Sequence, residues 1–195
     1  MNVGLFGGTF DPPHLGHLVL ADQCAQALSL DEVGFVLAYR PPHKADRRVT
    51  DFELRRRMLV AATEGHPRFR VLTLEREREG PSYTVETLRE LRAARPADRF
   101  WLLLGEDSLD EIPTWRAPDE IARLASVAVY HRVGARGTVP ESFRGRVDFV
   151  PGPRLEVSST WIREQVRSGR SVRYLVAPTV AELIAREQLY QDPEA

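Results

Sequence analysis

The sequence predicts an α/β protein built on a doubly wound parallel sheet, and three observations lead there. Short apolar runs suited to buried strands alternate with segments of helical periodicity. The chain has 195 residues, enough to bury one full core. Its unusual glycine, proline and histidine clusters fall just after apolar runs, where open α/β sheets bind their ligands.

In order, residues 3–6 read as a buried strand, followed by a glycine-rich turn and a helix over 16–28 carrying Leu18, Leu20, Ala21 and Ala25. A strand over 33–39 ends at Pro41-Pro42. A helix over 52–63, a strand over 69–74, a helix over 84–94 and a strand over 100–104 come next. Two more strands lie over 126–130 and 147–150, and helices over 160–167 and 179–187 close the chain. Such alternation implies parallel strands joined by right-handed crossovers, since each helix must cover a sheet that is apolar on both faces. Residues 133–146, rich in Gly, Arg and Pro, predict the most mobile loop.

The formal net charge of −1 provides no field to draw the chain to nucleic acid or an anionic membrane, so any phosphate must be captured locally. Basic residues are nearly all arginine, and Lys44 is the only lysine. Cys24, the sole cysteine, excludes an internal disulfide and suits a small core position. The N-terminus lacks the features of a signal peptide and no stretch reaches ~18 apolar residues, so a cytoplasmic protein with no membrane partner is expected.

Gly7-Gly8-Thr9-Phe10-Asp11-Pro12-Pro13-His14-Leu15-Gly16-His17 leads from the first strand into a helix. Glycines let backbone N–H groups approach an anion, and a helix N-terminus adds donors and partial positive charge. The G-x-G-x-x-G spacing is absent and Lys44 lacks a preceding G-x-x-x-x-G, which disfavours a nicotinamide-dependent dehydrogenase and a P-loop enzyme. His14 and His17, three apart, face one side and suit donation to phosphate oxygens. A structural histidine beside a surface one, or a metal pair, would give the same spacing, though zinc needs a third ligand and none is evident nearby.

This eleven-residue string resembles the H-x-G-H signature of the nucleotidyltransferase superfamily, in the form carried by bacterial nicotinate-nucleotide adenylyltransferases. The resemblance implies a Rossmann-like nucleotidyltransferase fold and an ATP site including Gly7, Gly8, Thr9, Phe10, His14 and His17. A second segment, Val157-Ser158-Ser159-Thr160-Trp161-Ile162-Arg163, is similar to that superfamily's I-S-S-T-x-I-R. Taken alone it reads as a helix cap, with Arg163 one turn on able to present a fork to phosphate. The resemblance assigns Ser158, Ser159, Thr160 and Arg163 to the β- and γ-phosphates of ATP. It also implies one nucleotidyltransferase domain over 1–195, with 158–195 a helical part completing the ATP site.

Between these motifs, Pro41-Pro42-His43-Lys44 also occurs in that family. A lone lysine in an arginine-rich chain suggests a site wanting a compact ammonium, or chance; the expectation is that Lys44 touches the triphosphate. By resemblance Tyr83 and Thr84 contact the nicotinate carboxylate, Asp107 the ribose hydroxyls, and Trp115 stacks on the pyridine ring. Glu106 stands where the family has alanine, and Arg132-Val133-Gly134 resembles its R-P-G, making Arg132 a further candidate. Residues 174–178 and 189–190 match the family's C-terminal pattern and read as helix packing.

The implied reaction is adenylyl transfer from ATP to nicotinate mononucleotide, giving nicotinate adenine dinucleotide and pyrophosphate in NAD biosynthesis. His14, His17, Lys44 and Arg163 act as donors, with no nucleophile or general base and no protein-held metal; Mg²⁺ enters mainly through the ATP phosphates. Alternatives are the corresponding enzyme for nicotinamide mononucleotide or phosphopantetheine, a cytidylyltransferase, or a catalytically silent nucleotide-binding regulator. A homo-oligomer is left open.

Overall fold

The computed structural model describes residues 1–40, 49–78, 80–132, 139–153 and 155–191, excluding the side chains of Asp107 and Arg132. Six strands form one parallel sheet: β1 (Asn2–Gly8), β2 (Glu32–Leu37), β3 (Phe69–Leu72), β4 (Arg99–Gly105), β5 (Ser126–Arg132) and β6 (Val147–Gly152). Their order is β3-β2-β1-β4-β5-β6, the doubly wound arrangement whose direction reverses between β1 and β4. The helices are α1 (Leu15–Ala27), α2 (Phe52–Thr63), α3 (Thr84–Ala94), α4 (Glu106–Leu109), α5 (Pro118–Leu124), α6 (Ser159–Arg167) and α7 (Pro178–Arg186). None of the described helices is long and apolar enough to cross a membrane.

Alternation along the strands divides the interior. Val3, Leu5, Leu102 and Leu104 meet Val85, Leu88 and Ile121 of α3 and α5 on one face. Phe6, Phe35 and Leu103 meet Leu20, Ala21, Cys24 and Leu59 of α1 and α2 on the other. Cys24 is fully buried and its thiol is pushed up to about 12 by burial, as suits a packing residue. A third cluster joins Met58 of α2 to Ile162, Val172, Val176, Val180, Ile184 and Tyr190 in the last part of the chain.

Several boundaries differ from the sequence expectation. Gly7 and Gly8 belong to β1, opposite Val36 and Leu37, rather than to a turn. Gly8 is required there by packing, since a Cβ would lie 2.8 Å from the Phe10 ring. β2 ends at Leu37, and β3 stops at Leu72 before a 3-10 turn over Leu74–Glu77. Helices α4 and α5 were not expected; both are short, and Pro118 opens α5 where its missing N–H costs nothing. Of the expected loop, 133–138 lie outside the described residues, while Glu141–Phe143 forms a 3-10 turn whose Phe143 is fully buried.

Candidate active site

The strands on either side of the reversal separate toward their carboxyl ends. β1 and β4 pair from Asn2–Arg99 to Leu5–Leu102, after which β1 continues along β2 and β4 along β5. A cavity of about 410 Å³ opens here on the α1 face, lined by Phe6, Gly7, His14, Gly16, His17, and Glu106 among others. On the α3 face a second cavity of about 250 Å³ is walled by Leu5, Leu102, Leu104, Tyr83, Thr84 and Trp115, among others. Gly7 lines both.

His14 is the N-cap of α1, and its backbone N–H donates to His17 Nδ1 at 3.1 Å. Nδ1 of His17 is therefore an acceptor, and the proton of the neutral ring sits on Nε2. The two rings stack with centroids 3.6 Å apart. His14 is 7% exposed, burial lowers its pKa to about 4, and its Nδ1 has no hydrogen-bond partner among the described residues. Gly16 makes room for this ring, because a Cβ there would lie 3.0 Å from His14 Nδ1. Not all of the α1 N-terminal donors are free: Leu15 N–H bonds the Leu175 carbonyl at 2.9 Å, and His17 N–H the His14 carbonyl at 2.9 Å.

The N-terminus of α6 docks on the same loop. Ser158 caps α6 by accepting from Trp161 N–H at 3.1 Å. Ser159 Oγ donates to the Pro12 carbonyl at 2.9 Å, and Arg163 Nη1 to the Asp11 carbonyl at 2.7 Å. Arg163 Nη2 reaches Thr160 Oγ1 at 3.3 Å. The two segments singled out in the sequence are thus in direct contact, through residues 147 and 152 positions apart.

Other expected residues are distributed unevenly. Gly8 lines the α3-face cavity rather than the cavity holding the histidines. Phe10 is 2% exposed and packs its ring against Phe6, Phe35 and His17, so its side chain belongs to the core beneath the site. Thr9 offers its carbonyl to Arg55 at 3.0 Å. Lys44 lies outside the described residues, as do the side chains of Asp107 and Arg132.

In the α3-face cavity, Tyr83 is the N-cap of α3 and Thr84 its first residue. Ser82 ties this corner to the end of β2, accepting from Tyr39 and Arg40 N–H groups, each at 3.2 Å. A helix N-terminus opening into a largely apolar cavity beside Trp115 suits an aromatic ring bearing a carboxylate.

Three residues at these sites escaped the sequence reading. Arg116 lies over the Tyr83 ring at 4.7 Å and pairs with Glu86 at 3.1 Å, putting a guanidinium at the cavity rim. Glu75, 7% exposed, accepts from Thr87 Oγ1 at 3.0 Å in the cavity wall. Arg55, 2% exposed, donates to the carbonyls of Thr9, Ala38 and Thr50 at 3.0, 2.8 and 2.8 Å, binding the ends of β1 and β2 together. Burial lowers its pKa, opposed by Asp11 and Asp51.

Comparison with known proteins converges on one family. Residues 5–165 match the cytidylyltransferase-like family model. Two curated relatives carry the name "Probable nicotinate-nucleotide adenylyltransferase". That of Geobacillus kaustophilus is 44% identical over 96% of this chain and 85% of its own length, and that of Salinibacter ruber is 44% identical over 98% of each. Among solved structures, nicotinic acid mononucleotide adenylyltransferase of Plasmodium falciparum complexed with NaAD superposes with a TM-score of 0.78 at 19% identity, covering 97% of both chains. The same fold, the two cavities flanking the strand reversal and near-complete overlap with those relatives lead to one conclusion: the chain belongs to the nicotinate-nucleotide adenylyltransferases, within the cytidylyltransferase-like family.

Proposed function

We infer that this chain transfers the adenylyl group of ATP to the phosphate of nicotinate mononucleotide, releasing pyrophosphate and forming nicotinate adenine dinucleotide, a step of NAD biosynthesis. The observation that carries this reading is Gly7, which lines both cavities. Two nucleotides bound on opposite faces of the sheet would bring their reacting phosphates together over a residue with no side chain. The acceptor phosphate oxygen then forms its bond to the α-phosphorus as the bond from that phosphorus to the bridging oxygen breaks. Positioning and electrostatic stabilisation are enough for such a transfer.

We assign ATP to the α1-face cavity. His17 presents Nε2–H, and His14, neutral at pH 7, offers one further N–H; both strengthen as charge develops on the transferring phosphate. Arg163 and the hydroxyls of Ser158, Ser159 and Thr160 bound the leaving-phosphate side, so residues 158–195 complete the site in a single nucleotidyltransferase domain. Lys44 is assigned to the triphosphate on its sequence context alone. The acceptor cavity takes the pyridine ring against Trp115 and its carboxylate at the α3 N-terminus near Tyr83 and Thr84. Asp107 is assigned to the ribose and Arg132 to the substrate.

Mg²⁺ is assigned to the ATP phosphates, since this ion dehydrates reluctantly and is usually bound through substrate phosphates rather than by an all-protein cage. Mg²⁺ bound in that way neutralises phosphate charge during transfer. A reaction on ATP and a pyridine nucleotide is assigned to the cytoplasm.

The test is pyrophosphate release from ATP and Mg²⁺ with nicotinate mononucleotide, nicotinamide mononucleotide and phosphopantetheine supplied separately. A carboxylate site that meets an amide leaves polar groups mispaired, at ~1–3 kcal/mol each. The nicotinate form is expected to win by roughly tenfold or more in kcat/KM. Equal use of both pyridine nucleotides would remove the carboxylate assignment, and the absence of release with every one of the three acceptors would remove the reaction.

A further inference from the structure

Asp11 lies in the loop that leads to His14, three residues before it, and is 4% exposed. Its polar atoms are held from three distant parts of the chain. Oδ1 accepts from the Tyr190 hydroxyl at 2.7 Å, and Oδ2 from the Thr50 N–H at 3.1 Å. The backbone carbonyl accepts from Arg163 Nη1 at 2.7 Å. On the other side of the loop, the carbonyl of Thr9 is held by Arg55.

Tyr190 is the most remote of these partners, 179 positions from Asp11. It follows α7 at a φ of +63°, a left-handed conformation that a tyrosine adopts only where its surroundings impose it. Its ring is 6% exposed and belongs to the cluster of Met58, Ile162, Val176 and Ile184. Packing would be served equally by phenylalanine. The hydroxyl, by contrast, is aimed at the one carboxyl group of the histidine loop.

We propose that Tyr190 is a positioning residue of the phosphate site, whose hydroxyl fixes the Asp11 carboxyl group and through it both the approach to His14 and the surface that braces Arg163. Without it, Oδ1 of Asp11 would be a buried acceptor left without its donor. The cheapest relief is a shift of the loop, and a site held loosely by its supporting groups loses turnover before it loses its fold. Tyr190 touches no substrate in this scheme. Its influence is confined to the α1 face, because the cavity assigned to the acceptor is built from β1, β2, β4, α3 and the segment around Trp115.

The inference rests on adenylyl transfer as the reaction, and its test separates the two. Tyr190→Phe is compared with the wild type in two measurements. The first is steady-state pyrophosphate release. A tenfold or greater fall in kcat per folded molecule is expected, the folded fraction being fixed independently by circular dichroism, with KM for nicotinate mononucleotide unchanged within about twofold, as for a group that acts on the transition state rather than on acceptor binding. The second is the NMR titration of the His14 ring in ligand-free protein, expected to move from about 4 toward the ordinary histidine value as the loop loosens. Asp11→Asn should reproduce both changes, and the double variant should be no worse than either single one. Wild-type kcat, an unmoved His14 titration or additive losses would each overturn the proposal, even if Tyr190→Phe lowered the melting temperature. A wild type inactive with every acceptor would instead sink the reaction assignment, and the His14 titration would still decide the role of Tyr190.

Discussion

The imidazoles of His14 and His17 lie stacked, with ring centroids 3.6 Å apart and planes 26° from parallel. Two imidazolium ions would repel at that distance, and burial of His14 already disfavours its charged form. His14 titrates near 4 in the folded protein against 6.5 when free, so between these values the unfolded chain binds more protons. The stability this contributes is fully present above pH 6.5 and is lost as pH falls toward 4, by about 3 kcal/mol. Urea unfolding of the wild type and of His14→Asn from pH 7 to pH 4 checks this: the variant should show a markedly shallower acid limb.

Gly16→Ala should separate helix stability from site geometry. Alanine is the better helix former by about 1 kcal/mol, so the fold should survive. The new Cβ would stand 3.0 and 3.1 Å from Nδ1 and Cε1 of His14, forcing that ring off its stack with His17. Turnover should fall roughly a hundredfold, the scale of a misplacement near 1 Å. A variant of unchanged melting temperature and unchanged kcat would contradict the packing of this pair.

Gly7→Ala poses the converse case. A Cβ at Gly7 would meet no described atom within 4 Å, and the residue has an ordinary strand conformation. Relief of glycine's extra unfolded-state entropy should raise stability by about 0.5–1 kcal/mol. Activity should nevertheless collapse, because the new methyl group enters the junction of the two cavities. Thermal melting paired with pyrophosphate release tests both halves.

Arg116→Gln removes positive charge from the rim of the α3-face cavity while sparing its apolar wall. The preference for nicotinate over nicotinamide mononucleotide should shrink by about threefold to tenfold, the scale of one ordinary hydrogen bond, since Arg116 is exposed and already paired with Glu86. Competition between the two acceptors, read as a ratio of kcat/KM, measures it.

Lys44→Ala should slow turnover by roughly a hundredfold, the scale for losing one preorganised donor. Near-normal turnover would make the lone lysine an accident of composition.

What the sequence disclosed follows from how local each signal is. Strand and helix alternation was legible because strands buried on both faces must be apolar throughout; right-handed crossovers set the hand of each connection, whereas the order β3-β2-β1-β4-β5-β6 came from the structure. The histidine pair and the α6 cap were legible as short-range patterns. Gly7 and Gly8 were mistaken for a turn because glycine weakens a strand; they remain in β1 because Phe10 fills the space beside one and a cavity borders the other. Arg55, Arg56 and Arg57 show the limit most clearly. One is buried on three carbonyls, the next pairs with Glu53 at 2.6 Å, and the third with Glu187 at 2.8 Å. Nothing in three identical neighbours separates these fates. The Asp11–Tyr190 bond was likewise hidden, since it joins residues 179 positions apart.

That long-range bond also gives the molecule a history. On the ribosome Asp11 is made 179 residues before Tyr190, with synthesis running at about 5–20 residues per second. The loop therefore waits on the order of 10–40 s for the group that anchors it. A chain abandoned between Arg163 and Tyr190 can carry both histidines and all six described strands, yet lack the contact that holds Asp11. Catalytic competence would then be withheld from every nascent fragment that stops short of Tyr190, even one that has already acquired the sheet and both phosphate-facing segments.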